Sequence, residues 1–222
     1  IYFTKSIEYY SYLLDNLSWS TGYRFDIGGI VFFNNFLYAA NFHTHTIIQT
    51  NLNGTINNST WATGLNGPSS CIVYDTNLYV SNFITGNISK LSLVGGANNL
   101  NWASGLSKPI GMAIYGTDLY VANFGSDKIS KLSLVGGANN LDWVTTGLNI
   151  PIGLIVYNTD LYVTNRTNNK ISKLSLVGEA NNLNWVTTGL SNPYGFAIYG
   201  TDLYVSSRSG NKISKLSLVG GE

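Results

Sequence analysis

Residues 108–148 read KPIGMAIYGTDLYVANFGSDKISKLSLVGGANNLDWVTTGL, and nearly the whole chain is built from copies of this stretch. Close copies follow at residues 149–190 and 191–221, and more divergent copies precede it at 27–65 and 66–106. The tryptophans recur at intervals of 41 or 42 residues: Trp19, Trp61, Trp102, Trp143 and Trp185. A fixed period of this length indicates a tandem-repeat architecture.

Each copy is predicted to contain four short β-strands. In the copy quoted above, Gly111–Tyr115 is a continuous apolar run, and LYVA at 119–122 alternates its side chains between two faces. A third strand is predicted at 129–135, where Ile129 and Leu132 are out of phase for a regular strand and indicate a β-bulge. The tryptophan marks the fourth strand, and no helical periodicity is present. The sequence therefore predicts an all-β fold, a β-propeller of four-stranded antiparallel blades.

The segments Pro-X-Gly-X-X-Ile-Tyr, Asp-Leu-Tyr-Val-Ala-Asn and Lys-Ile-Ser-Lys-Leu resemble the NHL repeat. That family has a Pro-X-Gly start, an inner strand, a segment ending in Tyr-Val-Ala-Asp, and Arg-Ile before an apolar strand. The likeness covers all five copies, but the family's Asp is replaced at Asn41, Asn82, Asn123, Asn165 and Ser207. The resemblance implies a β-propeller and no particular activity, because this fold hosts many functions.

A single domain spanning residues 1–222 is predicted, because each repeat must bury its apolar faces on its neighbours. Its repeats are assigned to 23–61, 62–102, 103–143, 144–185 and 186–222, with a partial repeat at 1–22. Five blades are favoured, with the strand that ends in Trp19 completing the last blade. Six blades, with a partial amino-terminal blade, are the alternative.

Composition excludes several classes of partner. Only 10% of the 222 residues are charged and the net charge is +1, so nucleic acid binding is not expected. No apolar run is long enough for membrane insertion. The chain begins at Ile1 without an initiator methionine and is interpreted as a processed product or fragment, so any targeting signal is lost with the missing segment. The location is therefore unknown from the sequence, with an extracellular or surface-exposed assembly slightly favoured. Cys71, the one cysteine, lies in the apolar run CIVY and is expected in the core.

The main functional prediction is a non-catalytic interaction scaffold that binds a protein partner. The loops between the second and third strands should meet the loops before the first strands on one rim of the propeller. These loops vary most between copies and carry aromatic and cationic side chains typical of binding surfaces. The predicted partner-binding residues are Phe42, His43, Phe83, Phe124, Arg166, Arg208 and Tyr194.

A lectin-like propeller that binds neutral glycan is the first alternative. Its sugar-stacking residues would be Trp61, Trp102, Trp143 and Trp185. A structural role for these tryptophans is favoured, because leucines share their strand face (Leu17, Leu100, Leu141 and Leu183), which is typical of core packing.

A metal-dependent hydrolase or lyase is the weaker alternative. His43 and His45 are weak candidates for metal ligands, because zinc sites need a third and a fourth ligand and no cysteine lies nearby in the sequence. The repeated Asp118, Asp160 and Asp202 are interpreted as hairpin-turn residues rather than calcium or acid–base residues. No catalytic residue and no cofactor is predicted.

Overall fold

The computed structural model describes residues 27–219 of the chain. The chain divides into two compact units, Ile1–Pro109 and Ile110–Glu222, which are described in turn. The first unit contains two four-stranded antiparallel sheets, with strand orders β1-β2-β3-β4 and β5-β6-β7-β8. Their strands are β1 Ile27–Phe33, β2 Phe36–Asn41, β3 Thr46–Asn51, β4 Ile56–Ala62, β5 Pro68–Tyr74, β6 Asn77–Asn82, β7 Asn87–Ser92 and β8 Asn99–Ala103.

The second unit contains three sheets of the same antiparallel meander. The first two have the orders β9-β10-β11-β12 and β13-β14-β15-β16, and the third shows β17-β18-β19 within the described residues. The strands are β9 Pro109–Tyr115, β10 Asp118–Asn123, β11 Lys128–Ser133, β12 Asn140–Val144, β13 Pro151–Tyr157, β14 Asp160–Asn165, β15 Lys170–Ser175, β16 Asn182–Val186, β17 Pro193–Tyr199, β18 Asp202–Ser207 and β19 Lys212–Ser217.

Local sequence explains the hairpin between the first two strands of a blade. In the β13–β14 pair, Tyr157 faces Asp160, so the turn has only two residues. Its first residue, Asn158, has φ +53°, a left-handed conformation that Asn tolerates better than most residues. Asn34, Asp75, Gly116 and Gly200 have the same left-handed φ at the corresponding positions. The turn chemistry therefore repeats with the sequence.

The predicted irregularity of the third strand is confirmed. The β10–β11 pairing is continuous from Asp118–Ser133 to Asn123–Lys128. On its other side, β11 pairs with β12 through a register shift between Ile129 and Lys131. The strand ends at Ser133, two residues before the predicted end at Val135.

The core of each unit is formed by the apolar side chains of neighbouring blades. In the first unit, Tyr38 and Ile47 of the first blade belong to one buried cluster with Leu78 and Val80 of the second. In the second unit, the corresponding cluster joins Tyr120 and Ala122 to Leu161 and Val163. Burial of this kind contributes about 25 cal/mol per Å² of apolar surface and holds adjacent blades together.

The predicted fold class is therefore confirmed: the protein is an all-β propeller with five blades. No helix occurs between residues 27 and 219, and accordingly none long and apolar enough to cross a membrane was found there. The predicted completion of the last blade by the strand that ends in Trp19 lies outside the described residues.

Candidate functional site

The two sets of loops predicted to share a rim meet within the second, fourth and fifth blades. The backbone N–H of Phe83, which follows β6, donates to the carbonyl of Gly67, which precedes β5, at 2.9 Å. Arg166 donates in the same way to Ile150 at 3.1 Å, and Arg208 donates to Asn192 at 3.0 Å. We call this edge of the blades the loop rim, and define it by the loops that precede the first strand and follow the second.

In the first, third and fourth blades, one side chain in the loop after the second strand attaches the following blade. Nδ1 of His45 accepts the N–H of Gly67 at 2.9 Å. Oδ1 of Asp127 accepts the N–H of Ile150 at 2.6 Å. Oδ1 of Asn169 does the same for Asn192 at 2.7 Å. His45, Asp127 and Asn169 all have left-handed φ values, between +56° and +59°. His45 thus shares an attachment role with an aspartate and an asparagine.

This role bears on the two histidines considered as metal ligands. Because Nδ1 of His45 accepts a hydrogen bond, the neutral ring carries its proton on Nε2. His43 lies two residues earlier, is exposed, and packs edge-on against Phe42. Between residues 27 and 219, no three His, Cys, Asp or Glu side chains lie close enough together to form a metal site.

A continuous set of side-chain contacts lies on the loop rim of the first unit. The Phe42 ring meets the His43 ring at a centroid distance of 5.8 Å and the Phe83 ring at 5.9 Å, both edge to face. Nζ of Lys108 lies 5.8 Å from the centroid of Phe83, within the range of a cation–π contact. We call Phe42, His43, Phe83 and Lys108 the first-unit rim cluster.

Gly67 allows this cluster to pack. Its φ is +64°, and a Cβ at this position would lie 2.8 Å from the Ile84 side chain and 3.1 Å from the Phe42 ring. A side chain there would push Phe42 away from Phe83. The cluster therefore depends on a glycine that the sequence places directly before the first-strand proline.

The rim of the second unit has a different chemistry. The position of Phe42 and Phe83 is occupied by Phe124 in the third blade but by Arg166 and Arg208 in the fourth and fifth. Nε of Arg166 donates to Oδ1 of Asn192 at 2.9 Å. Tyr194 is half-buried and its carbonyl accepts the hydroxyl of Thr164 at 3.0 Å. Asn192 thus bonds to both the side chain of Arg166 and the backbone of Arg208.

The repeated aspartates lie at the opposite edge of the blades, where each forms an ion pair. Lys131 contacts Asp118 at 2.9 Å, Lys173 contacts Asp160 at 2.9 Å, and Lys215 contacts Asp202 at 2.8 Å. The hydrogen bond to Asp118 raises the pKa of Lys131. The equivalent residue of the second blade is Asn77, and that of the first blade is Phe36. The position therefore has a structural role.

The tryptophans pack within their own blades. Each meets the tyrosine of the second strand edge to face, at centroid distances of 4.8 or 4.9 Å: Tyr38–Trp61, Tyr79–Trp102, Tyr120–Trp143 and Tyr162–Trp185. Leu183 packs against the core as expected, whereas Leu100 and Leu141 are 40% and 37% exposed. The rings are half-buried and contribute to blade packing.

Cys71 is in the core, as predicted. It is 6% exposed, its Sγ lies 3.7 Å from the carbonyl oxygen of Tyr38, and it belongs to the cluster that joins the first two blades. Burial raises the pKa of the Cys71 thiol to about 12. A thiol with this pKa is protonated at neutral pH and is a poor nucleophile.

Asn192 was missed from the sequence, and Lys108, which varies beside its proline as Tyr194 does, was not among the predicted binding residues. Both directly precede a first-strand proline, in the position of Gly67 and Ile150. This position faces the loop after the second strand. Aligning the copies by their prolines would therefore have identified both residues as members of the loop rim.

No family model and no curated protein matches the chain. Among solved structures, nidogen in a complex with laminin is similar with a TM-score of 0.71 at 18% identity, over 87% of this chain and 74% of that one. A catalytically inactive virginiamycin B lyase from Staphylococcus aureus with quinupristin, in which a histidine is replaced by alanine, has a TM-score of 0.65 at 17% identity. It is matched over 83% of this chain and 63% of its own.

A gluconolactonase from Xanthomonas campestris has a TM-score of 0.63 at 15% identity, over 78% of this chain and 65% of that one. The chain thus spans slightly less than two thirds of the length of these two enzymes. At these identities the likeness shows the fold alone.

These comparisons correct the functional prediction. The sequence predicted a non-catalytic scaffold, with a glycan-binding lectin as first alternative, yet the similar structures include a lyase and a lactonase. The scaffold prediction failed because it treated the absence of a familiar catalytic motif as evidence against catalysis. The similar folds thus include enzymes as well as a protein found in a protein–protein complex.

Proposed function

We propose that the protein is a propeller enzyme that opens cyclic esters and acts at the first-unit rim cluster. The observation that carries the proposal is the joining of one imidazole, two aromatic rings and one ammonium group through consecutive contacts of 5.8 to 5.9 Å. These are the groups needed to hold an apolar ring, attract a polar substituent and transfer a proton.

Each member of the cluster has a different role in the proposed reaction. Phe42 and Phe83 are half-buried, so they offer a fixed apolar surface to the substrate ring. Lys108 is exposed and supplies a positive charge at one end of the cluster. His43 lies at the other end, and an imidazole has one nitrogen that can accept a proton and one that can donate it.

The reaction is a hydrolysis in which His43 acts first as base and then as acid. The imidazole accepts a proton from water as the water oxygen bonds to the ester carbonyl carbon. The carbonyl oxygen takes the displaced electron pair and becomes negative. When the carbonyl re-forms, the ring C–O bond breaks and the imidazolium gives its proton to the departing oxygen. The product is a hydroxy acid, and proton transfer of this kind contributes about 10²- to 10⁴-fold to the rate.

The gluconolactonase among the similar structures supports this class of reaction, and the virginiamycin B lyase supports only an enzymatic propeller. A gluconolactonase and a virginiamycin B lyase share the fold, and the lyase variant that lacks a histidine is described as inactive. We also propose that the repeats are of the NHL type. The protein would then be an NHL-type propeller with an enzymatic site on its loop rim.

The test is a hydrolysis assay with aliphatic and aromatic lactones of five to seven ring atoms. The reaction is monitored through the acid that it releases into a weakly buffered solution. We expect turnover above the buffer rate for at least one aromatic lactone. His43→Gln is expected to lower kcat by about 10²-fold or more, and Lys108→Gln to raise KM. Lys90→Gln is the matched control, because Lys90 lies over the ring of Tyr79 rather than in the cluster.

Circular dichroism and the melting temperature establish that each variant folds. The proposal is wrong if no lactone in the panel is hydrolysed above the buffer rate. It is also wrong if His43→Gln keeps the full rate, or if Lys90→Gln loses as much activity as Lys108→Gln.

A further inference from the structure

We infer that the loop rim of the second unit holds a separate binding site for a small oxyanion, a carboxylate or a phosphate. The site consists of Arg166, Arg208, Asn192 and Ser209. It belongs to the fourth and fifth blades and is independent of the proposed lactone reaction.

The first argument is that Arg166 is held in a fixed orientation. Its Nε–H is donated to Oδ1 of Asn192 at 2.9 Å, and its backbone N–H is donated to Ile150 at 3.1 Å. The two terminal Nη groups then form the remaining donor pair of the planar guanidinium. Two parallel N–H donors match the two oxygens of a carboxylate or phosphate.

The second argument is that Asn192 is itself fixed by its neighbours. Its backbone N–H is donated to Oδ1 of Asn169 at 2.7 Å, and its Nδ2 is donated to Oγ of Ser209 at 3.2 Å. Its carbonyl accepts the N–H of Arg208 at 3.0 Å. Asn192 therefore connects the two arginine-bearing loops, and little side-chain entropy remains to be lost when a ligand binds Arg166.

The third argument concerns charge. Among the described residues of the second unit, four aspartates pair with lysines: Asp118, Asp142, Asp160 and Asp202. Asp127 instead accepts the backbone N–H of Ile150. No ion pair between a described carboxylate and Arg166 or Arg208 occurs. A half-buried arginine in this setting attracts an anion from solution.

A fourth observation bears on what else the ligand carries. Oδ1 of Asn168, two residues after Arg166, is buried, and no described residue donates to it. A buried acceptor of this kind favours a partner that donates a hydrogen bond. A hydroxyl beside the anionic group would supply it, so hydroxy acids are expected to bind more tightly than plain carboxylates.

Isothermal titration calorimetry of the whole chain tests the inference with four probes: gluconate, acetate, inorganic phosphate and sodium chloride at matched ionic strength. We expect saturable binding of gluconate or phosphate, weaker binding of acetate, and no saturable heat with chloride. Tighter binding of gluconate identifies the ligand as a hydroxy acid, whereas tighter binding of phosphate identifies it as a phosphate ester. Either result supports the site.

Two variants and one matched control localise the binding. Arg166→Gln is expected to weaken binding at least about 10-fold, because it removes the charged donor pair. Asn192→Ala keeps the charge but frees the guanidinium, and should weaken binding several-fold. Lys170→Gln removes one positive charge from the same blade, where Nζ of Lys170 donates to Oδ1 of Asn184 at 2.9 Å, and should bind like the unmodified chain. Absence of saturable binding, full affinity in Arg166→Gln, or an equal loss in Lys170→Gln would overturn the site.

Discussion

Left-handed backbone occurs at ten residues other than glycine between positions 27 and 219. Eight of them are Asn, Asp or His, whose polar side chains bond to nearby backbone groups and tolerate this conformation. The other two are Lys108 and Ile150, both at φ +50° and both directly before a proline. Ile150 is β-branched, and a left-handed conformation costs such a residue about 1–2 kcal/mol.

Replacing Ile150 by asparagine is expected to stabilise the protein by about 0.5–1 kcal/mol, because Asn relieves this strain. Asn192 occupies the equivalent position of the fifth blade at φ +57°, so the backbone is known to accept the residue. Urea unfolding of the variant and the parent measures the difference. The same substitution at half-buried Ile110, which has no left-handed φ, is expected to destabilise the chain. A lower stability of Ile150→Asn would contradict the strain argument.

A repeated hydrogen-bond network connects three strands of the blade at the scale of the element. Nδ2 of Asn123, at the end of β10, donates to Oγ of Ser130 in β11 at 2.9 Å. Ser130 donates in turn to the carbonyl of Leu141 in β12 at 2.6 Å. The pairs Asn82–Ser89 and Asn165–Ser172 repeat the first bond at 2.9 Å. The asparagine that departs from the NHL pattern therefore has a structural partner.

The first blade shows what happens without that partner. Ile48 stands where the other blades have serine, and Nδ2 of the fully buried Asn41 has no hydrogen-bond partner among the described residues. A buried N–H left unpaired costs about 1–3 kcal/mol. The first blade therefore lacks a contribution that the second, third and fourth blades have.

Substituting Ser130 by alanine is expected to cost about 1–3 kcal/mol, since it removes the short bond and leaves Asn123 Nδ2 with two longer contacts of 3.5 Å, to the carbonyls of Val121 and Lys128. A double-mutant cycle with Asn123→Ala measures the coupling by chemical unfolding. The two losses should be strongly non-additive, because either substitution alone removes the shared bond. The exposed Ser209→Ala is the control, and additive losses at 123 and 130 would contradict the network.

The elements could be predicted from the sequence because their determinants are local. Apolar runs, two-residue turns and the out-of-phase Ile129 place the strands to within about two residues. The network around Asn123 could not be predicted in this way, since its partner Ser130 is seven residues away on another strand and the pattern alone does not show that they face each other. The rim clusters depend on the same kind of contact.

At the scale of the whole molecule, the repeat period predicted the architecture but gave no information about the function. Every blade must repeat the residues that pack, so the period reports packing most strongly. The two proposed sites lie where the copies differ, at Phe42 and Phe83 in one unit and Arg166 in the other. The repeat period does not show which of these differences matter for function. The contacts around Gly67 and Asn192 show which of the differing residues lie close together.

Buried titratable groups predict how the stability of the chain depends on pH. Burial raises the pKa of Cys71 from 9.0 to about 12 and that of Tyr162 from 10.0 to about 12. Both folded-state pKa values exceed the unfolded ones, so their contribution is complete below about pH 9 and decreases as the pH rises toward 12. We expect the free energy of unfolding to fall from pH 9 upward.

Urea unfolding at intervals between pH 7 and pH 10 measures this dependence. Cys71→Ala should be less stable at pH 7, because it leaves a small cavity in the core, but its stability should fall less steeply above pH 9. An equally steep fall in the variant would show that the thiol contributes nothing to the slope.

The residues before the first-strand prolines have a consequence for how new specificities arise in this chain. Gly67, Lys108, Ile150 and Asn192 share one backbone conformation although their side chains have nothing in common. At Lys108, Ile150 and Asn192 the loop before and the strand after fix the main chain, so the side chain can change from blade to blade, whereas a side chain at Gly67 would meet Ile84 and Phe42. A single nucleotide change at such a codon can alter the chemistry of one blade while the other blades keep theirs. Duplication of the repeat therefore supplies the protein with several independent positions for evolutionary trial.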